Sequence, residues 1–388
     1  MEISACVKYV GVNDHQVDLF EGQYKVPNGM SYNSYVMLDD KIAIMDTVDG
    51  FFTEEWLNNV EQVLDGKMPD YLVIQHMEPD HSASIPAFLK KYPKVTVVST
   101  AKGFQFMEQF FPEFFAEQGL PAEQRIVAAN DGVLELGQHS LHFVYAPMVH
   151  WPEVMMTYEA TEKILFAADG FGKFGALDAE EEWADEARRY YIGIVGKYGP
   201  QVQAVLKKAA GLDIQTICSL HGPVLKENLG FYLEKYDRWS SYQPEESGVV
   251  IAYASVYGNT RNAAEYLADV LHEKGQKTVL YDLARCDKAK AVADAFRYDR
   301  LVLAGITYNG DLFPCMRSFI EGLTERNYQN RKVAIIENGT WAPMAGKLIL
   351  GMFEKSKNLT FTETTVSIKS AMNEQNKGEI GKLAEELC

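Results

Sequence analysis

The segment His76-Met77-Glu78-Pro79-Asp80-His81 sets four metal-capable side chains within six residues. Two are imidazoles and two are carboxylates, and the mixture says which metal. Hard carboxylate oxygens combined with imidazole nitrogens suit iron or manganese better than an all-His set does. The segment follows Tyr71-Leu72-Val73-Ile74, a short apolar run that reads as a buried strand. The donors therefore fall on the loop at a strand end, where a rigid scaffold can present them.

Three later stretches repeat that arrangement. Phe143-Val144-Tyr145 leads to His150 beside Trp151-Pro152, Lys163–Ala168 leads to Asp169-Gly170, and Ile214–Leu220 leads to His221-Gly222-Pro223. Taken singly, an Asp-Gly pair is an ordinary turn and a strand-end His an ordinary structural residue.

The His76–His81 stretch resembles the His-x-His-x-Asp-His loop of the metallo-β-lactamase fold, with Glu78 where the second His would stand. Within that superfold this Glu is the mark of the flavodiiron proteins, a redox family. The resemblance implies that His150, Asp169 (19 residues further on) and His221 complete the site. It implies one iron on His76, Glu78 and His150, a second on Asp80, His81 and His221, and Asp169 bridging the two. His15, His139, His142 and His272 have no comparable partners and read as surface or structural residues.

The texture of the chain changes after Ser240–Gly248, a polar stretch with Pro and Gly that has a linker's composition. The expected domains are residues 1–246 and 247–388. In the second, the apolar run Val249–Ala254 enters Ser255-Val256-Tyr257-Gly258-Asn259-Thr260 and then a helical stretch from Arg261. A strand, a hydroxyl- and Gly-containing loop and a helix N-terminus together bind phosphate, through a nest of backbone N–H groups and the helix dipole. No Gly-Lys-Ser/Thr follows and no Gly-x-Gly-x-x-Gly is present, which excludes the usual triphosphate and dinucleotide loops. The loop resembles the FMN phosphate loop of flavodoxins. Two more strand-end loops, Thr307-Tyr308-Asn309-Gly310 and Asn338-Gly339-Thr340-Trp341, match those that hold the flavin ring in that family, with Tyr308 and Trp341 as the candidate aromatics.

The expected architecture is thus two-domain, mixing α+β with α/β. A metallo-β-lactamase-like αβ/βα sandwich is followed by a flavodoxin-like doubly wound parallel sheet. The net charge of −17 disfavours nucleic acid and anionic membranes as partners. No apolar run reaches the roughly 18 residues that span a bilayer, and the N-terminus lacks a signal-peptide pattern. The five cysteines (6, 218, 286, 315 and 388) have no paired spacing, so a disulfide framework, a Cys₄ iron site and a rubredoxin module are not expected, and a reducing cytoplasm is.

The resemblance, which covers the whole chain, implies a reductase with FMN and a non-haem diiron site. Electrons come from a small carrier protein, rubredoxin being the family's usual donor, and go to O2, giving water, or to NO, giving N2O. It implies a head-to-tail homodimer in which the FMN of one chain faces the diiron site of the other, or that dimer doubled to a tetramer. A zinc hydrolase of the same superfold and a non-catalytic electron-transfer module are the alternatives. Glu78 and the flavin loops speak against the first. The family often places a His in the loop matching Pro27–Asn33; here Asn28 stands where that His is expected, and Tyr190 or Tyr191 is the candidate for the hydrogen bond instead.

Overall fold

Tyr71–Val73, the strand ahead of the donor-rich loop, is wholly buried, and this explains its unbroken apolar character. The computed structural model describes residues 2–117 and 119–388, which form two compact units. One comprises Met1–Tyr190 with Pro200–Tyr236, the other Tyr191–Gly199 with Asp237–Cys388.

In the first unit, β1 (Val7–Tyr9), β2 (Tyr35–Met37), β3 (Ala43–Met45), β4 (Tyr71–Val73), β5 (Thr96–Ser99) and β6 (Arg125–Val127) form a sheet in sequential order. The first two pairings are antiparallel and the rest, from β3 onward, parallel. A second sheet holds β7 (Val133–Glu135), β8 (Ser140–Tyr145), β9 (Met155–Glu159), β10 (Ile164–Phe166) and β11 (Thr216–Cys218), again in order. Its pairings are antiparallel up to β10, and β10 with β11 is parallel. The sheets share one core, in which Met37, Met45, Val73 and Val98 of the first meet Leu141, Phe143, Met155 and Phe166 of the second. This is the expected sandwich.

The second unit is a parallel sheet of β12 (Glu246–Tyr253), β13 (Thr278–Asp282), β14 (Tyr298–Tyr308), β15 (Arg331–Asn338) and β16 (Leu359–Ile368), ordered β13-β12-β14-β15-β16. This is the 2-1-3-4-5 order of the doubly wound flavodoxin-like fold. Its central strands read as continuous apolar runs because helices cover both faces. Val249, Ile251, Val302 and Ile336 are all fully buried.

The division of the chain differs from the boundary at 246/247 expected from the sequence. The second unit begins at Asp237 and also takes Tyr191–Gly199. Tyr242 is the reason, a large side chain hidden in a stretch with a linker's composition. Its hydroxyl donates to the Gly196 carbonyl at 3.0 Å, and its own carbonyl accepts from the Arg331 guanidinium at 2.7 Å. No helix of the described residues is long and apolar enough to cross a membrane. All five cysteines are free thiols.

Candidate metal centre

His76 and His81 lie in the loop and the short helix Pro79–Ser82 that follow β4. His150 follows β8, Asp169 follows β10 and His221 follows β11. β8 and β10 both pair antiparallel with β9, and β11 runs parallel to β10, so these strands deliver their donors to one edge of the sandwich. The backbone bends sharply to do so. Met148 (φ 64°), Ala168 (φ 48°) and Phe171 (φ 65°) all take the left-handed conformation that disfavours a side chain. Such strain is held only where the surroundings fix it.

All seven predicted donors come together, as two groups within ligating distance of a common centre. These are His76, Glu78, His150 and Asp169, and Asp80, His81 and His221. In the first, His150 Nε2 is 3.0 Å from Glu78 Oε2 and 3.1 Å from Asp169 Oδ2, and His76 Nε2 is 3.3 and 3.4 Å from the same two oxygens. In the second, His81 Nε2 and His221 Nε2 are both 3.3 Å from Asp80 Oδ2. Asp169 Oδ1 lies 3.3 Å from His81 Nε2 and 3.9 Å from His221 Nε2. Asp169 thus turns one oxygen to each group.

Two observations show that these side chains fit cations. The Nε2 atoms of His81 and His221 converge to 3.1 Å, close enough for one cation to take both. Both carboxylate oxygens of Asp80 and of Asp169 are buried and make no hydrogen bond, which is costly unless a positive charge compensates. Bound protons report the same field. Burial alone would push the His150 imidazole down, but Asp169 and Glu78 raise it to about 9. Burial opposes the shift at Asp169 too, yet His76, His150 and His81 hold its carboxyl well below the usual range.

A pH dependence follows for the metal-free protein. A His whose folded pKa is raised stabilises fully below its unfolded value of about 6.5, and that stability is lost as pH rises through the folded value. For His150 the loss ends near 9. The metal-free protein is therefore expected to lose thermal stability across that window, while the metal-loaded form, with cations in place of the protons, holds steady. Melting temperatures that run parallel for the two forms would contradict this.

The sequence did not reveal the residues that orient the donors. His76 Nδ1 lies 2.8 Å from Glu153 Oε1, which also accepts the Met77 N–H at 2.9 Å. His221 Nδ1 donates to the Ser31 carbonyl at 2.7 Å. Both contacts place the proton on Nδ1 and leave Nε2 for a metal. Buried Asp46 accepts both the backbone and the side-chain N–H of Gln75, at 2.7 and 2.8 Å, and so pins the strand end before His76. Glu153→Gln is expected to lower metal affinity roughly 10–100-fold with little change in fold, as loss of an outer partner does. Metal titration of the variant checks it, and wild-type affinity would refute the role.

Rings close around the cluster. Phe20, Tyr32 and Tyr190 lie 5.5, 6.0 and 5.4 Å from the His221 ring, and Trp151 lies 5.3 Å from that of His76. Of the two candidate tyrosines, Tyr190 therefore meets a donor. Tyr191 instead packs its ring 5.4 Å from Trp239 in the second unit. Burial, with Asp169 and Glu78, holds the Tyr190 phenol well above its usual range. The Asn28 amide donates to Glu181 Oε2 at 2.8 Å, and Glu181 in turn receives Lys173 at 2.5 Å, so Asn28 serves the loop after Asp169.

In the second unit the three candidate flavin loops follow β12, β14 and β15, neighbours in the sheet. Gly258, at φ 91°, opens the helix Asn259–Glu273, and its N–H donates to Ser255 Oγ at 3.1 Å. Val256 and Tyr257 are exposed and Thr260 is buried. A cavity of about 240 Å³ beside this loop is lined by Ser255, Gly258, Arg261, Asp282 and Arg285, with Arg285 paired to Asp282 at 2.7 Å, so Arg261 is the cation that the sequence reading did not single out. Thr307 Oγ1 accepts from Met344 N at 2.8 Å, which ties the second loop to the third. Tyr308 is half exposed and Trp341 is 89 % exposed, open for stacking, beside Asn309 and Gly310 at positive φ. The Asn338 amide is spent on the Ser370 backbone and Thr340 pairs with the Ser370 hydroxyl, so both brace the loop that carries Gly339.

Residues 30–222 match the family described as ODP family beta lactamase, and residues 250–358 match a flavodoxin domain. The chain is 28 % identical over 349 residues to the anaerobic nitric oxide reductase flavorubredoxin of Vibrio vulnificus, covering 86 % of this chain and 69 % of that one. The flavodiiron protein of Giardia intestinalis has the same fold, with a TM-score of 0.91, 25 % identity, and coverage of 100 % of this chain and 96 % of that one. The rubredoxin oxygen:oxidoreductase of Desulfovibrio gigas shares the fold at a TM-score of 0.91, with 24 % identity over 100 % of this chain and 97 % of that one.

Proposed function

Since this chain belongs to the flavodiiron proteins, we propose that it is an oxidoreductase with FMN in its second unit and two irons in its first, reducing O2, NO or both. The observation that carries this reading is the pair of donor groups that share Asp169. When bound, FMN would supply a store of two electrons released singly, and the iron pair would supply two electrons, one from each metal, to two NO per N2O formed or, refilled by the flavin, the four that take O2 to water.

The residues of the chain have distinct tasks. His76, Glu78 and His150 would hold one iron and Asp80, His81 and His221 the other, with Asp169, which turns one oxygen to each group, serving both. The carboxylates offset the positive charge that would otherwise be buried. Glu153 and the Ser31 carbonyl keep the imidazoles in the tautomer that presents Nε2. The Tyr190 phenol stays protonated and donates a hydrogen bond to an oxygen-bearing molecule in the site, while Phe20, Tyr32 and Trp151 restrict water. In the second unit, Ser255 to Thr260 would cradle the FMN phosphate with backbone N–H groups, and Arg261 adds positive charge. Tyr308 and Trp341 flank the ring.

The donor is a small redox protein of the rubredoxin type, met by local Lys and Arg side chains because the chain as a whole is acidic. Two chains pair head to tail, each flavin serving the partner's metal site. A zinc hydrolase is disfavoured by Glu78, whose Oε2 faces both His76 and His150, and by the flavin unit. Metal and flavin analysis of the purified protein tests the reading, together with anaerobic assays of O2 and NO uptake. About two irons and about one FMN per chain, with uptake of either gas, is expected. A zinc-loaded, colourless protein that consumes neither would overturn it.

A further inference from the structure

His139, which reads from sequence as a structural residue, lies in a second cluster of donors. Cys6 Sγ, a ring nitrogen of His139 and a carboxylate oxygen of Glu162 lie within 4.8 Å of one another. We propose that Cys6, His139 and Glu162 bind a third metal ion, a zinc-type divalent cation, that fastens the N-terminal segment to the second sheet.

The cluster is separate from the diiron site. His139 precedes β8 and Glu162 precedes β10, whereas His150 and Asp169 follow those same strands. The six residues of β8 at roughly 3.3 Å each put the two sites about 20 Å apart, at opposite ends of the sheet. Cys6 arrives from the other sheet, immediately ahead of β1.

Three observations point to a cation. First, His139 is oriented in the way a metal ligand is. Its Nδ1 lies 2.9 Å from Asp39 Oδ2, and the same oxygen accepts the backbone N–H groups of Gln138 and His139 at 2.8 Å each. With Nδ1 so occupied, Nε2 is left for a cation, the carboxylate–histidine–metal arrangement. Second, Glu162 Oε2 is buried without a hydrogen bond, an arrangement that a bound cation would relieve. Third, the donor set is thiolate, imidazole and carboxylate, each a zinc ligand. At metal–ligand distances of about 2.0–2.3 Å, tetrahedral donors stand roughly 3.5 Å apart, inside the 4.8 Å within which these three now lie. Three protein donors leave the fourth position to water.

Another use of the thiol fits less well. Burial, partly offset by the Ser4 hydroxyl and reinforced by Glu162, pushes Cys6 up to about 12, so it is a poor nucleophile without a cation. A structural role fits the location. β1 is a three-residue strand at the edge of its sheet, and a metal there would tie it to the turns before β8 and β10.

The test uses the full-length protein carrying its iron and FMN. It is dialysed against Co2+ and then against zinc, and metal per chain, absorption and melting temperature are measured. The expected result is one cobalt beyond the iron, with a sulfur-to-cobalt charge-transfer absorption that zinc removes. The absorption should vanish in Cys6→Ser. Affinity should fall at least tenfold in Glu162→Gln, which keeps the thiol should Cys6→Ser fold poorly. Iron content and turnover should stay at wild-type values in Glu162→Gln. Absence of the extra cation overturns the proposal. So does a bound cobalt without sulfur absorption, or absorption that survives in Cys6→Ser.

Discussion

Asp169→Ala is expected to leave the protein with little or no iron and without measurable gas reduction. The two carboxylate oxygens of Asp169 face different donor groups. Oδ2 lies 3.1 Å from His150 Nε2, Oδ1 lies 3.3 Å from His81 Nε2, and neither has a hydrogen bond of its own. On the proposed ligation, removing the side chain would take a ligand from both metals at once and leave buried positive charge uncompensated. The loss should exceed the roughly 10–100-fold that removal of an outer partner costs. The flavin should be retained, because its loops belong to the second unit. Iron and FMN assays on the variant check both halves, and full iron occupancy would show that Asp169 does not bridge.

Inactive variants are expected to rescue each other when mixed. One carries His81→Ala with His221→Ala and so lacks the second metal group. The other replaces Ser255, Asn259 and Thr260 with bulky residues, which fills the phosphate loop. Each should be near zero alone, since one lacks the electron acceptor and the other its supplier. If chains pair head to tail, a mixed dimer contains one intact flavin facing one intact metal site, and subunit exchange should restore part of the activity. Mixed dimers that form and stay inactive would mean that electrons pass within a single chain.

The candidate donors that the structure brings together were legible in the sequence because their signal is local. Four donors crowd between His76 and His81, and each later donor ends an apolar strand. The flavodoxin-like sheet was legible for a related reason, since strands buried on both faces read as unbroken apolar runs. What was hidden acts over long sequence separations or through the backbone. Glu153 reaches His76, and the Ser31 carbonyl reaches His221, with no pattern to announce either. Nor does any local pattern announce that the Asn28 amide bonds Glu181 or that the Tyr191 ring packs on Trp239. The Asn338 side-chain amide bonds the Ser370 backbone, a contact made across 32 residues. His139 appeared unpartnered because Cys6 and Glu162 are brought to it only by folding the two sheets together. The second compact unit reaches back to Asp237, and Tyr242, in a stretch with a linker's composition, is buried within it.

The most direct measurement is flavin reoxidation in a single turnover. Iron-loaded and iron-free protein, both carrying FMN, are reduced without oxygen and mixed rapidly with O2 or with NO. The account requires fast reoxidation by at least one gas in the iron-loaded protein, with the rate collapsing when iron is absent or when Asp169 is replaced. Equal rates with and without iron would mean that the flavin reacts alone and that the His/carboxylate cluster is not the site of reduction.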